Sequence, residues 1–190
     1  MRRGSSTALN KKMKTIIIGN GGSGKTWLAK KIASTEVQII HLDNLFWLPG
    51  GFDEKRGKEE VNQLIVQSKT HDNWIVEGVF GELAKQYFDK AETLIWLDIP
   101  WDVCRSRLQQ RGSESKKHMG RKQSEGGLIK LIEWASHYYD RTDFKSYSGH
   151  QSLFNFFQGN KVQLKSEDEV NLYIQSVQQG AAPDSCSAAI

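Results

Sequence analysis

One octapeptide restricts this chain more than any other stretch: Gly19-Asn20-Gly21-Gly22-Ser23-Gly24-Lys25-Thr26. It satisfies GxxxxGK[ST] in full. It lies between the β-branched run Thr15-Ile16-Ile17-Ile18 and a helical stretch at 25–34. Strand, glycine-rich turn and helix in that order make a phosphate-binding loop. The glycines let backbone N–H groups turn inward, and the helix start adds a partial positive charge. Lys25 is placed for the β- and γ-phosphates of ATP or GTP, and the Thr26 hydroxyl for Mg²⁺. The nucleotide-binding set is therefore Gly19, Gly21, Gly22, Ser23, Gly24, Lys25 and Thr26.

The remaining pattern alternates short apolar runs with helical stretches. Strands are expected at 15–18, 37–40, 73–76, 93–97 and 161–164. Helices are expected at 25–34, 58–70, 83–89, 100–111, 128–141 and 153–157, with a last one opened by the capping box Ser166-Glu167-Asp168-Glu169. Residues 41–53 read as an aromatic loop and 113–127 as a mobile, basic, Gly/Ser-rich one. The fold class is α/β, in three α/β/α layers around a five-stranded parallel sheet. Right-handed crossovers bring the strand C-terminal ends to one edge, where ligands bind in open α/β sheets.

With 190 residues, the chain suits one domain. A basic arm is expected at 1–12, the domain at 13–178 with a small lid at about 112–127, and a frayed tail at 179–190. The formal charge of +4 is concentrated in the first fourteen residues. It falls to about −1 once Arg2, Arg3, Lys11, Lys12 and Lys14 are set aside. A near-neutral body argues against nucleic-acid binding, which only the arm would favour. Cys104 and Cys186 form no CxxC pair and the five histidines have no ligand spacing, so a reducing cytoplasmic setting without a protein-built metal cluster is expected. No apolar run is long enough to span a bilayer. A monomer or weak dimer is expected.

Three acidic residues follow apolar strands. Glu77, before Gly78, is placed beside the phosphate loop as a second anchor for Mg²⁺ or its waters. Asp43 has two open readings: acceptance of a proton from an acceptor hydroxyl, or the N-cap of a small helix. Asp98 stands before Pro100 and reads as a structural cap. Residues 105–122 hold seven basic side chains against the single acid Glu114. Of these, Arg107 and Arg111 share a helix face and suit the charge of a moving phosphoryl group. Phe46, Trp47 and Phe52 cluster after the second strand. Such rings either stack on an acceptor base or plug the core beneath a small helix.

The phosphate loop, His41-Leu42-Asp43-Asn44-Leu45-Phe46-Trp47-Leu48-Pro49-Gly50 and Trp74-Ile75-Val76-Glu77-Gly78-Val79-Phe80 together resemble the bacterial FlaR-type "DNA topology modulation" proteins. These are small P-loop proteins related to adenylate kinase. The resemblance runs from about Met13 to Ile174. It implies an adenylate-kinase-like core, ATP as donor with Mg²⁺, and kinase activity. Glu77-Gly78 takes the place of the family's magnesium-holding acidic residue and glycine. Arg107 and Arg111, seven and eleven residues past Pro100, take the place of its lid-hinge arginines. Two departures stand out: Pro49-Gly50-Gly51-Phe52 lacks the usual tryptophan after Pro-Gly, and Trp27 occupies a position where small residues are common.

Three functions remain open at this level. The first is transfer of a γ-phosphoryl group to a nucleoside, nucleotide or other small acceptor. The second is a nucleotide-dependent regulatory or DNA-associated role. The third is slow NTP hydrolysis as a switch without an acceptor.

Overall fold

A computed structural model describes residues 12–50, 52, 54–112 and 125–180. Its strands are β1 (Lys14–Gly19), β2 (Gln38–His41), β3 (Trp74–Gly78), β4 (Thr93–Leu97) and β5 (Asn160–Leu164). All neighbours are parallel, in the order β2-β3-β1-β4-β5. The helices are α1 (Lys25–Ile32), α2 (Leu42–Phe46), α3 (Lys58–Ser68), α4 (Gly81–Lys85), α5 (Trp101–Arg111), α6 (Glu125–Ser136), α7 (Tyr147–Phe156) and α8 (Glu167–Gln178). The five-stranded parallel sheet expected from the alternation is present. The expected arm at 1–12 and lid at 112–127 lie almost wholly outside the described residues, as does most of the tail at 179–190.

Helices cover both faces of the sheet, so its central strands are apolar without alternation. Ile16, Ile17 and Ile18 of β1 are all fully buried. Ile16 and Ile18 join Trp74, Val76, Leu94 and Trp96 in a core roofed by α2, α3, α4 and α7. Ile17 joins Ile75, Ile95 and Leu97 in a second core roofed by α1, α5 and α8. Because successive side chains of a strand point to opposite faces, each strand supplies both cores.

Four helices differ from the sequence expectation. Residues 42–46 form a helix inside the expected loop, and the Arg56 guanidinium lies 3.5 Å from the carbonyls of Asn44 and Trp47 at its end. The helix α4 starts at Gly81, before the expected 83. There a Cβ would sit 2.2 Å from the Phe144 carbonyl oxygen, so the turn needs glycine. The helix α6 ends at Ser136, whose hydroxyl donates to the Glu133 carbonyl, and the chain turns at 137–140 where helix was expected. The helix α7 begins at Tyr147, well before the expected 153, with the Ser146 hydroxyl accepting from the Gly149 amide. Half of the capping box of α8 forms as expected, the Ser166 hydroxyl accepting from the Glu169 amide; the Glu169 carboxylate accepts from the amide of Lys165, one residue before the cap.

A buried polar chain joins β4, the turn after α6, α7 and the residue that follows β3. The Trp96 indole N–H donates to the Tyr138 hydroxyl at 3.2 Å, and the Tyr138 hydroxyl is 2.8 Å from His150 Nδ1. His150 Nε2 is 3.0 Å from the Val79 carbonyl oxygen. Since a carbonyl only accepts, Nε2 carries the proton and Nδ1 accepts from Tyr138. Burial above all drives the His150 pKa from the ordinary 6.5 down to about 3. Between those values the unfolded chain binds a proton that the folded chain refuses, so stability is full above the unfolded pKa and falls as pH drops. Urea denaturation at about pH 7 and about pH 5 is expected to show lower stability at the acid value. In His150→Gln that difference is expected to shrink.

Candidate functional site

The phosphate loop leaves β1 at Gly19 and enters α1 at Lys25, with Gly24 as the N-cap in left-handed conformation. The first amides of α1 have no intrahelical acceptors and are aimed at the loop's concavity. The loop carbonyls are taken by cations. Lys25 Nζ donates to the Asn20 carbonyl at 2.7 Å, and Arg107 Nη1 donates to the Ser23 carbonyl at 2.9 Å. With these oxygens turned to positive charge, the start of α1 suits an anion, as phosphate binding requires.

Two contacts fix the loop from outside. Gly22 has φ +82, and a Cβ there would stand 2.4 Å from the Cys104 carbonyl oxygen in α5. Gly22→Ala is expected to cost about 2 kcal/mol or more, from the left-handed backbone and the overlap with rigid main chain. Chemical denaturation checks it. On the other side, Asn20 is buried and its Nδ2 donates to the Ala135 carbonyl at 2.9 Å, in the last turn of α6. Gly21 lies against Ala135 and Leu131 of the same helix.

Glu77 is the electrostatic centre of the site. It is buried at 4% exposure, paired in register with Ile17 and with His41 across β3. Its Oε1 accepts from the Thr26 hydroxyl at 2.9 Å and from His41 Nδ1 at 2.6 Å. Burial alone would raise its pKa. The His41 hydrogen bond and the Lys25 charge outweigh burial and hold the carboxyl below its ordinary value, so it is ionised. A hydroxyl and a buried carboxylate 2.9 Å apart are hard oxygen donors of the kind Mg²⁺ takes. Among the described residues there is no group of three or more His, Cys, Asp or Glu side chains that would hold a metal by itself. The donor set therefore fits an ion held largely by phosphate oxygens and water, with Thr26 and Glu77 completing it.

Two cavities flank the loop. The smaller, about 110 Å³, is lined by Lys25, Thr26, Asp43, Glu77, Arg111 and Trp134, among others. The larger, about 400 Å³, opens between α1, α5 and α8, with Trp27, Arg107, Gln110, Glu167 and Asn171 on its walls. Arg107 is fixed there by Glu167 at 2.6 Å. Arg111 borders both cavities, and its Nε donates to the Arg107 carbonyl at 3.4 Å. Burial first, then the neighbouring Arg107, lowers its pKa, and it stays charged at neutral pH.

The sequence-derived residues separate accordingly. Lys25, Thr26, Asp43, Glu77 and Arg111 come together on one cavity, and Arg107 stands at the adjoining one. Asp43 lies in the first turn of α2, whose N-cap is His41, so the N-cap reading of Asp43 is corrected. The strand turns directly into helix at His41, one residue earlier than a cap at 43 needs. Asp98 is not the cap of α5 either: that position is Pro100, and Asp98 accepts from Gln163 at 2.9 Å across β4 and β5. Phe46 stacks on Phe80 with centroids 4.3 Å apart and meets Trp47 edge-on at 4.7 Å; both pack on the core. Phe52 meets Trp47 at 6.2 Å. The indoles on the cavity walls are those of Trp27 and Trp134.

His41, Asn20 and Trp134 escaped the sequence reading. The signal for His41 was its place at the end of a strand, but only the register with Glu77 gives that place meaning. Arg121, Lys116, Lys117 and Lys122 of the expected lid lie outside the described residues.

No family model matches the sequence, and no curated protein does. Solved structures do match. A candidate kinase from Chloroflexus aurantiacus superposes with a TM-score of 0.50 at 16% identity, over 90% of this chain and 100% of that one. A shikimate kinase from Acinetobacter baumannii in complex with shikimate gives 0.49 at 12%, over 88% and 92%. A gluconokinase from Sinorhizobium meliloti gives 0.48 at 13%, over 89% and 91%. At such identities the likeness concerns the fold, a three-layer α/β P-loop architecture, and leaves chemistry to the residues themselves.

Proposed function

We propose that this chain is an ATP- and Mg²⁺-dependent phosphotransferase that moves the γ-phosphoryl group to a small acceptor, a nucleoside or a nucleotide. One observation carries the reading. Lys25 of the phosphate loop, the Thr26–Glu77 pair and Asp43 line a single cavity at the C-terminal edge of the sheet. A switch that only hydrolyses NTP does not need the second carboxylate. A nucleic-acid binder would need a basic body, which the charge distribution lacks. The FlaR-type resemblance supports the same reading.

Each residue then has a role. The loop amides and Lys25 bind and orient the triphosphate. Thr26 and Glu77 would hold Mg²⁺, whose chemistry is to withdraw charge from the phosphate oxygens. His41 donates to Glu77 and keeps its carboxylate turned toward Thr26. Asp43 orients the proton-bearing acceptor oxygen and accepts its proton as the bond to phosphorus forms and the β–γ bridging bond breaks. Arg111 neutralises charge on the transferring group, and Arg107 holds Ser23 and the donor side. The 400 Å³ cavity is the place for the donor's ribose and base.

The test is ADP release from ATP and Mg²⁺ across nucleosides, nucleoside monophosphates, sugars and hydroxy acids, with Lys25→Ala as control. Stimulation by one acceptor class, absent in the control, is the expected result. ATP binding without stimulation by any acceptor overturns the transferase reading and leaves hydrolysis in water as the reaction. Salt-dependent DNA affinity of the described domain would favour the regulatory role instead.

A further inference from the structure

We propose that Trp27 is the face against which the base of the phosphoryl donor packs, and that this face makes the donor site select a purine. The proposal rests on the nucleotide-binding part of the reading above and goes beyond it by naming the residue and the class of base. The first observation is a large ring left half in water. Helix α1 turns Leu28, Ala29 and Ile32 into the core under the sheet. Trp27 points elsewhere, belongs to neither core and is 48% exposed. Packing within the fold therefore does not account for an indole at this position, since much of its apolar surface stays wet. Its charged neighbour is the Lys31 ammonium, 5.7 Å from the ring centre, near the outer limit of a cation–π contact.

The second observation is where this ring lies. Trp27 follows Thr26 directly and lines both cavities that flank the loop. The smaller holds Lys25, Asp43 and Glu77, where the phosphoryl group moves. The larger, about 400 Å³, has the size of a small-molecule site. Trp27 thus borders the path from the donor's phosphates to its base. The larger cavity offers a base apolar faces more than fixed hydrogen bonds. Leu97 and Val170 join Trp27 on its walls. Arg107 Nη1 and Nη2 already donate to Ser23 and Glu167. The amides of Gln110 and Asn171 each carry a donor and an acceptor, so they suit the edge of adenine or of guanine. A base held by its face is chosen by the size of that face. A two-ring purine covers more of an indole than a one-ring pyrimidine does.

Two arms test this. The first reads binding without turnover. Non-hydrolysable analogues of ATP, GTP, CTP and UTP, and inorganic tripolyphosphate, are titrated into the protein with Mg²⁺ by calorimetry. Tripolyphosphate shares the phosphates and lacks the ribose and base. The purine analogues are expected to bind about tenfold tighter than the pyrimidine ones. Trp27→Ala is expected to weaken the purine analogues about tenfold and to erase their advantage, with tripolyphosphate affinity unchanged. Trp27→Phe, which keeps a smaller ring, is expected to fall between. The tripolyphosphate control and a melting curve keep loss of folding apart from loss of the face.

The second arm reads turnover. In acceptor-dependent ADP release, Trp27→Ala is expected to raise KM for ATP about tenfold while KM for the acceptor stays unchanged. Equal affinity for the four bases, or a purine preference that survives Trp27→Ala, overturns the proposal and leaves the transferase reading standing. Purine-selective binding that depends on Trp27, with no acceptor-dependent ADP release, overturns the transferase reading and leaves the base site. If neither the analogues nor tripolyphosphate bind the parent protein, the phosphate-loop reading falls and the proposal falls with it.

Discussion

Lys25→Ala is expected to lower the rate of phosphoryl transfer at least about 100-fold, because it removes the charge that follows the β- and γ-phosphates into the transition state. The structure makes this loss hard to replace. The Lys25 ammonium is folded back to 2.7 Å from the Asn20 carbonyl, inside its own loop. Arg107 is already engaged by Ser23 and Glu167, so it is not available to move in. Among the described residues, Arg111 is the remaining cation on the same cavity, and it approaches from α5 rather than from the loop. The variant should fold, since Lys25 opens α1 and alanine is a good helix former. Acceptor-dependent ADP release, read beside a melting curve, checks both halves. A rate close to that of the parent protein would remove the mechanism.

Asp43→Asn is expected to lower kcat about 100-fold with stability changed by less than about 0.5 kcal/mol. The two carboxylates of the cavity have different environments. Glu77 is buried and held by Thr26 and His41, which fits a fixed anchor. Asp43 is only partly buried on the first turn of a five-residue helix, which fits a group that meets a substrate. Asparagine keeps the size and the hydrogen-bonding ability but cannot take the proton. The loss should therefore fall on kcat, with KM for ATP unaltered. If activity survives in Asp43→Asn, the proton goes elsewhere and Asp43 serves only to position the acceptor.

Much of this could be read from the residues. Gly19 to Thr26 declares itself because the loop's chemistry depends on adjacent residues, and the five strands declare themselves because a doubly covered sheet needs continuous apolar runs. Glu77 and Asp43 followed from one rule, that strand ends share an edge. What escaped depends on contacts between distant segments. Nothing local marks His41 as the partner of Glu77; the parallel register of β2 and β3 makes it so. Nothing local marks Asn20 either, since its role depends on a helix more than a hundred residues later. The helix α2 stood only as one of two open readings, because five residues are too few for a period, and Phe46 and Trp47 suited a binding loop as well as a core beneath a small helix. The start of α7 was hidden by Gly149, which weakens helix propensity. Here it is required, because a Cβ would stand 2.2 Å from the Asp143 carbonyl oxygen.

The bond from Asn20 to the Ala135 carbonyl has a thermodynamic meaning. The helix α6 touches the donor loop at its last turn, and its Leu131 and Trp134 line the cavity that holds Asp43. The bond therefore ties the donor loop to a wall of the cavity in which the acceptor is proposed to sit. A ligand that stiffens the loop removes part of the ordering entropy that a ligand on the far side would otherwise meet. Linkage makes the relation mutual: whatever factor ATP adds to acceptor affinity, the acceptor must add to ATP affinity. Cutting the bond with Asn20→Ala would reduce that factor.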